Sequence, residues 1–290
     1  MRFGIAFANT GPFATPAGAS VMAEAAEQSG FDSVWTVEHV VVPRDYRSTY
    51  PYSADGKMPG GGEFDIPDPL IWLAWVAART TSLKLATGIL ILPQRNPVVL
   101  AKEVATLDAL SAGRVLLGIG IGWLEEEFDI LGVPFADRAR RTDEYVAAMR
   151  ALWSQERPTF SGETVSFTDA LCRPRPVDGA VPVVVGGHSP AAARRAGRLG
   201  DGFFPAKGDL PALLDEMLTA ADDAGRDPDA IEVTASGAGV IGGGEAALDE
   251  VGRLAELGVS RLVVPPLTYD PAALRDNLAR FGDEVIARAS

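Results

Sequence analysis

The stretch 83–128, LKLATGILILPQRNPVVLAKEVATLDALSAGRVLLGIGIGWLEEEF, constrains the fold more than any other part of the chain. An apolar, β-rich run (83–92) leads through a loop bounded by Pro93 and Pro97 into a helix-period segment ending at Leu110. Ser111-Ala112-Gly113 stops that helix, and a second apolar run, 114–121, ends among glycines. Neither run alternates, which is the pattern of strands buried on both faces. Strand, helix and parallel strand make a βαβ unit. Gly118, Gly120 and Gly122 stand where the second strand ends, and a missing Cβ there lets another group approach the backbone closely.

The same alternation runs along the whole chain. Strands are expected over 2–8, 32–37, 83–92, 114–121, 181–185, 202–205, 231–241 and 260–264. Helices are expected over 17–29, from 65–69 to 80, up to 110, over 123–131 and 137–153, then 191–199, 210–224, 245–257 and 271–287. A small hairpin, TFSGETVSF, interrupts the pattern before the fifth strand. Eight strands, each followed by helix, without a linker-like break, predict a single α/β domain over 1–290, a (β/α)8 TIM barrel with insertions in its βα loops. A doubly wound sheet is the alternative, because counting strands does not show closure. The segment 40–66, rich in Gly, Pro, Tyr and Asp, is too long for an ordinary connection and is expected to be an active-site lid.

Charge and composition exclude several classes. A net charge of −13 with no basic cluster argues against a nucleic-acid partner. One cysteine, Cys172, rules out an internal disulfide framework and points to a reducing, cytoplasmic setting. The start MRFGIAFANTG, with one Arg and a short apolar run, is not expected to act as a signal peptide, and no run approaches the ~20 apolar residues that cross a bilayer. With His39, His188 and Cys172 as the whole complement of His and Cys, transition-metal ligands are scarce and no metal site is expected.

In a barrel the ligand lies at the C-terminal strand ends. That rule gathers Glu38-His39, the 89–95 region, Gly120-Ile121-Gly122-Trp123, Gly186-Gly187-His188-Ser189 and 205–207. His39 offers the side chain best suited to exchange a proton near neutral pH, or serves as a structural hydrogen-bonding residue. Glu38 could hydrogen-bond its ring, tune it, or simply be solvated. Gly118-Ile119-Gly120-Ile121-Gly122 fails as a dinucleotide fingerprint, because Trp123 stands where the third Gly or Ala is needed. Those glycines therefore either contact a ligand or let strand and helix pack closely. Ser189-Pro190 opens a helix after Gly186-Gly187, an arrangement suited to a phosphate as well as to plain capping. Glu125 and Glu127 are expected to be solvated at a helix start. Arg95 and Lys207 are the cations nearest the expected mouth, facing either an anion or water. Cys172 lacks an activating motif.

Five motifs together resemble the luciferase-like monooxygenase superfamily, in its branch of F420-dependent oxidoreductases: GFDSVWTVEH, DPLIWLAWVAARTTSLKLATGILILPQRNP, LAKEVATLDALSAGRVLLGIGIGWLEEEFDILGVPF, VPVVVGGHSPAAARRAGRLGDGF and GVSRLVV. The resemblance spans the first strand to the last and implies a flavin or deazaflavin at the C-terminal mouth. It implies that His39 and Glu38 meet the reactive ring or the substrate, although many deazaflavin relatives carry Asp at position 38. It also implies a non-prolyl cis peptide at Gly88-Ile89 backing the ring. Gly120, Ile121, Gly122 and Trp123 would line the cofactor, and Gly186, Gly187, His188 and Ser189 would meet its phosphate.

FMN ends in a phosphomonoester dianion that usually draws an Arg, and some FMN-using relatives have a basic residue where Ile121 stands. F420 carries a singly charged diester, for which an uncharged loop and a helix N-terminus suffice. The sequence thus favours an F420-dependent hydride transfer to or from a small organic substrate, with a homodimer implied by the family. The alternatives are an FMN-dependent two-component monooxygenase using O2 and a non-catalytic binder of F420 or flavin.

Overall fold

A computed structural model describes residues 1–289. Strands β1 (Arg2–Ile5), β2 (Ser33–Thr36), β3 (Lys84–Thr87), β4 (Leu90–Ile91), β5 (Val115–Gly120), β8 (Val183–Gly186), β9 (Gly202–Phe204), β10 (Glu232–Ser236) and β11 (Val259–Val264) form one parallel sheet. The sheet closes on itself. β1 pairs with both β2 and β11, while β3 reaches across to β5, setting Leu85 against Val115 and Ala86 against Leu116. Counting β3 and β4 as one interrupted strand, the result is the expected eight-stranded (β/α)8 barrel, and the doubly wound alternative is excluded. Strands β6 (Phe160–Ser161) and β7 (Ser166–Phe167) form the separate hairpin.

Helices α1 (Pro16–Gln28), α2 (Pro69–Ala77), α3 (Pro97–Leu110), α4 (Glu125–Ile130), α5 (Arg138–Ser154), α6 (Pro190–Leu199), α7 (Leu210–Asp223), α8 (Gly244–Glu256) and α9 (Pro271–Phe281) surround it. Many begin in one way. Thr15, Asp68, Asn96, Ser189 and Asp270 each accept a backbone N–H from the first turn, and each is followed by a proline at the first helical position. Among the described residues no helix is long and apolar enough to cross a membrane.

Two cores follow from strand alternation. The larger lies between strands and helices, including Phe3, Ile5, Val34, Leu85, Leu117 and Leu262. The smaller fills the barrel interior with Trp35, Ala86, Leu116, Val184 and Val263. Gly4 makes room for the interior layer, since a Cβ there would stand 2.5 Å from Ser33 Oγ and 2.7 Å from the Trp35 indole nitrogen. That nitrogen donates to Ser33 Oγ (2.9 Å), which donates to Asp32 (2.7 Å), and Arg261 closes the chain on Asp32 at 3.0 Å.

Several elements are shorter than the sequence pattern predicts, and three of them bear on the barrel. The run 83–92 is broken between β3 and β4 by a cis Gly88–Ile89 peptide. The run 231–241 leaves the sheet after Ser236, where Gly237 passes Val264 so closely that a Cβ would approach its side chain to 2.7 Å. The last helix widens into a π turn over Gly282–Ile286, because Gly282 lies against the Ser29 carbonyl.

Glu27 shows how a helix side chain secures a barrel loop. Its carboxylate accepts the N–H groups of Thr81 (2.8 Å), Ser82 (2.7 Å) and Leu83 (3.1 Å), together with the Ser82 hydroxyl. Partial burial pushes the group up, but these bonds outweigh it and hold it down at about 2. A depressed folded-state value stabilises above the ordinary carboxylate range and is lost as pH falls toward 2. Glu27→Gln should therefore cost about 1–3 kcal/mol at neutral pH. The cost should shrink progressively below about pH 4.5, as read by urea unfolding of both proteins across that range.

Candidate active site at the barrel mouth

The strand ends bring Glu38, His39, Ile89, Arg95, Trp123 and His188 to one end of the barrel. Glu38 follows β2 and is buried. Its carboxylate accepts the Ile91 N–H (2.5 Å), Arg95 Nε (2.9 Å) and Arg95 Nη2. The same Nη2 donates to Asp68 at 2.7 Å, and Asp68 caps α2 through its other oxygen. Burial pushes the Glu38 carboxyl up, opposed by the Arg95 charge and the Ile91 N–H. Because both oxygens face donors and none faces an acceptor, the carboxylate form fits the arrangement. Burial alone would lower Arg95, but Glu38 and Asp68 reverse that and raise it. Glu38 is thus committed to Arg95 and the β4 backbone, and is neither a partner of the His39 ring nor solvated, two of the roles its place in the sequence allowed.

The partner of His39 is Glu127, which corrects its expected place as a solvated helix-start residue. Glu127 is fully buried on α4. One oxygen lies 2.9 Å from His39 Nδ1. The other accepts the N–H groups of Val40 (2.6 Å) and Val41 (3.2 Å). Trp123 presents its ring edge-on to the imidazole, with centroids 5.6 Å apart. A signal for Glu127 exists in the sequence. Leu124, Glu127, Phe128 and Leu131 fall on one stripe of a helix, and Leu124 and Phe128 are buried with it.

The loop 40–66 packs over this arrangement. Tyr46, Met58 and Leu124 form a buried cluster joined by Tyr50, Phe64 and Trp123. Tyr46 and Tyr50 pack edge-on against Trp123 at 5.5 and 5.2 Å, and Tyr52 meets the His188 ring at 5.3 Å. Glu126 fastens the loop by accepting from Arg47 N–H (2.6 Å), Ser48 N–H (3.2 Å) and Ser48 Oγ (2.7 Å). Lys207 donates to the Pro51 carbonyl.

The glycines admit side chains of the protein itself. A Cβ on Gly120 or Gly186 would come within 2.6 or 2.5 Å of Ile89, and one on Gly122 within 2.7 Å of Phe128. Gly118 lies against the Thr87 carbonyl and Gly187 against Ala192. Together they let the Ile89 side chain lie against the ends of β5 and β8, beside the interior layer that Trp35 reaches through Gly88. At the edge, Ser189 Oγ caps α6 by accepting Ala192 N–H (3.2 Å). His188 Nδ1 is buried without a partner among the described residues. Burial, and then the Lys207 charge, lower the His188 imidazole. An apolar platform bordered by an unpaired imidazole, a lysine and a helix N-terminus suits a flat ring with an anionic tail.

Comparisons with known proteins agree with this architecture. The family model for luciferase-like monooxygenases matches residues 1–284. The chain is 32% identical over 282 residues to Uncharacterized protein Rv0953c of Mycobacterium tuberculosis, covering 94% of this chain and 95% of that protein. It is 38% identical over 200 residues to an F420-dependent glucose-6-phosphate dehydrogenase of Kineococcus radiotolerans, covering 68% of this chain and 54% of that protein. The crystal structure of a long-chain alkane monooxygenase superposes with a TM-score of 0.80 at 15% identity, covering 99% of this chain and 90% of the other, and shares the fold. The chain belongs to the luciferase-like monooxygenase family. Within that family it is an oxidoreductase.

Removing one partner of the buried pair at the mouth leaves the other charge stranded. Arg95→Met should destabilise the protein by about 3–5 kcal/mol. A Glu38→Leu/Arg95→Met double variant should recover part of that loss, as read by chemical unfolding.

Proposed function

We propose that this chain is an F420-dependent oxidoreductase acting on a small organic substrate. The observation that carries the reading is the pairing of His39 with the buried Glu127 carboxylate at a mouth whose platform, Ile89, is uncharged. The match to an F420-dependent dehydrogenase supports the same cofactor. Bound at this mouth, F420 would supply hydride transfer at its deazaflavin ring.

The residues that would hold it are Gly88 and Ile89 beneath the ring, and Gly120, Ile121, Gly122 and Trp123 along its side. Gly186, Gly187, His188 and Ser189 would meet its phosphate. His39 holds and moves the proton that accompanies the substrate's oxidation or reduction, and Glu127 orients the ring that does so. Glu38 acts at one remove, by fixing Ile91 and Arg95. The loop 40–66 serves as a lid that excludes water, within one barrel domain spanning the chain. Ile121 offers no charge to a phosphomonoester, and the His188 edge suits a single negative charge, which favours F420 over FMN. A homodimer is supported by the exposed apolar side chains of Ile71 and Trp75 on α2 and of Val98 and Val99 on α3. A cytoplasmic setting fits the free, buried Cys172.

Equilibrium binding of F420 and FMN, followed by cofactor fluorescence, tests the reading. F420 should bind at least ~10-fold more tightly than FMN, a difference of about 1.4 kcal/mol. His39→Ala should keep that affinity while losing turnover. Tighter FMN binding would move the chain to the flavin monooxygenases, and F420 binding without hydride exchange over a broad substrate panel would make it a carrier.

A further inference from the structure

The Glu127 carboxylate serves two neighbours at once. Its two oxygens are divided between the His39 ring and the backbone of the first residues of the 40–66 loop. An ionised carboxylate accepts hydrogen bonds and donates none. A neutral imidazole facing it must therefore carry its proton on Nδ1. Trp123 flanks the ring edge-on, and Nε2 has no partner among the described residues.

We propose that Glu127 is a positioning residue that locks neutral His39 in the Nδ1–H tautomer, leaving Nε2 as the nitrogen that receives or delivers the substrate's proton. The inference rests on the reading of His39 as the proton-moving group. The same carboxylate ties Val40 and Val41 to α4, so the orientation of the imidazole and the position of the first loop residues depend on one side chain. A movement that draws Val40 and Val41 away from Glu127 breaks both of those hydrogen bonds and leaves the oxygen that accepted them without its present donors.

Glutamine at position 127 makes a sharp test because its orientation is dictated. The two backbone N–H groups of Val40 and Val41 require an acceptor, so the amide oxygen must face them. The amide NH2 then faces His39 Nδ1, which can meet it only as an acceptor. Glu127→Gln should therefore reverse the tautomer to Nε2–H without changing the shape of the side chain.

The experiment is long-range 1H–15N correlation spectroscopy on the cofactor-free, 15N-histidine-labelled protein, at a pH where the ring is neutral. With two histidines in the chain, the pair of signals lost in His39→Gln identifies His39. The wild type should show a protonated, pyrrole-like Nδ1 and a pyridine-like Nε2, and Glu127→Gln should exchange the two. Amide exchange at Val40 and Val41 should stay slow in Glu127→Gln and quicken in Glu127→Ala.

A wild-type His39 protonated on Nε2, or a tautomer unchanged in Glu127→Gln, overturns the proposal. If Glu127→Gln fails to fold, the wild-type spectrum decides by itself. Because no cofactor is present, these results stand apart from the F420 and FMN binding comparison, which tests the reading of the function.

Discussion

A carboxylate removed from water is costly unless donors surround it, and Glu127 has three. The chemistry at the barrel mouth depends on how they are distributed. One comes from the ring of His39 and two from the backbone that continues beyond it, so α4 fixes both the end of β2 and the start of the covering loop. Its neighbour Glu126 repeats the device one residue earlier, binding Arg47 and Ser48 further along the same loop. Burial works against Glu126, but the Ser48 hydroxyl and the Arg47 and Ser48 N–H groups overcome it and hold the carboxyl at about 2, so this fastening persists well into acid.

A second buried carboxylate at the mouth, Glu38, does parallel work. Through Arg95 and Asp68 it joins the end of β2 to the turn after β4 and to the first turn of α2. Ile89 is seated against the glycines that end β5 and β8. The His39–Glu127 pair, an apolar platform, and a rim where Lys207 stands beside an imidazole that burial and that lysine push toward neutrality are the parts the proposed hydride transfer would use. The barrel beneath supplies a rigid support, because its interior is filled by Trp35 and its neighbours and leaves the mouth as the place to bind.

Much of this was legible in the sequence. Unbroken apolar runs gave the strands, Ser189-Pro190 gave one helix start, and the strand-end rule brought Glu38, His39, the glycines and His188 to one face. Pairwise chemistry was less legible, because it depends on which side chains meet across the mouth. Glu38 and His39 are adjacent in sequence, yet they take different partners, 57 and 88 residues away. Glu127 reads as a solvated helix start until the apolar stripe of Leu124 and Phe128 is weighed with it. The glycines were legible as close approaches, but the approaching atoms belong to Thr87, Ile89 and Phe128. The contacts with Thr87 and Ile89 join different βα units, and a one-dimensional pattern carries no record of them.

The most direct test of the account is a crystal structure of the protein with F420 bound. The deazaflavin ring should lie against Ile89 with His39 Nε2 facing its reactive edge or the space above it, and the phosphate should lie near His188 and Ser189. A ring bound elsewhere on the barrel, or one whose reactive edge is remote from His39, would contradict the account.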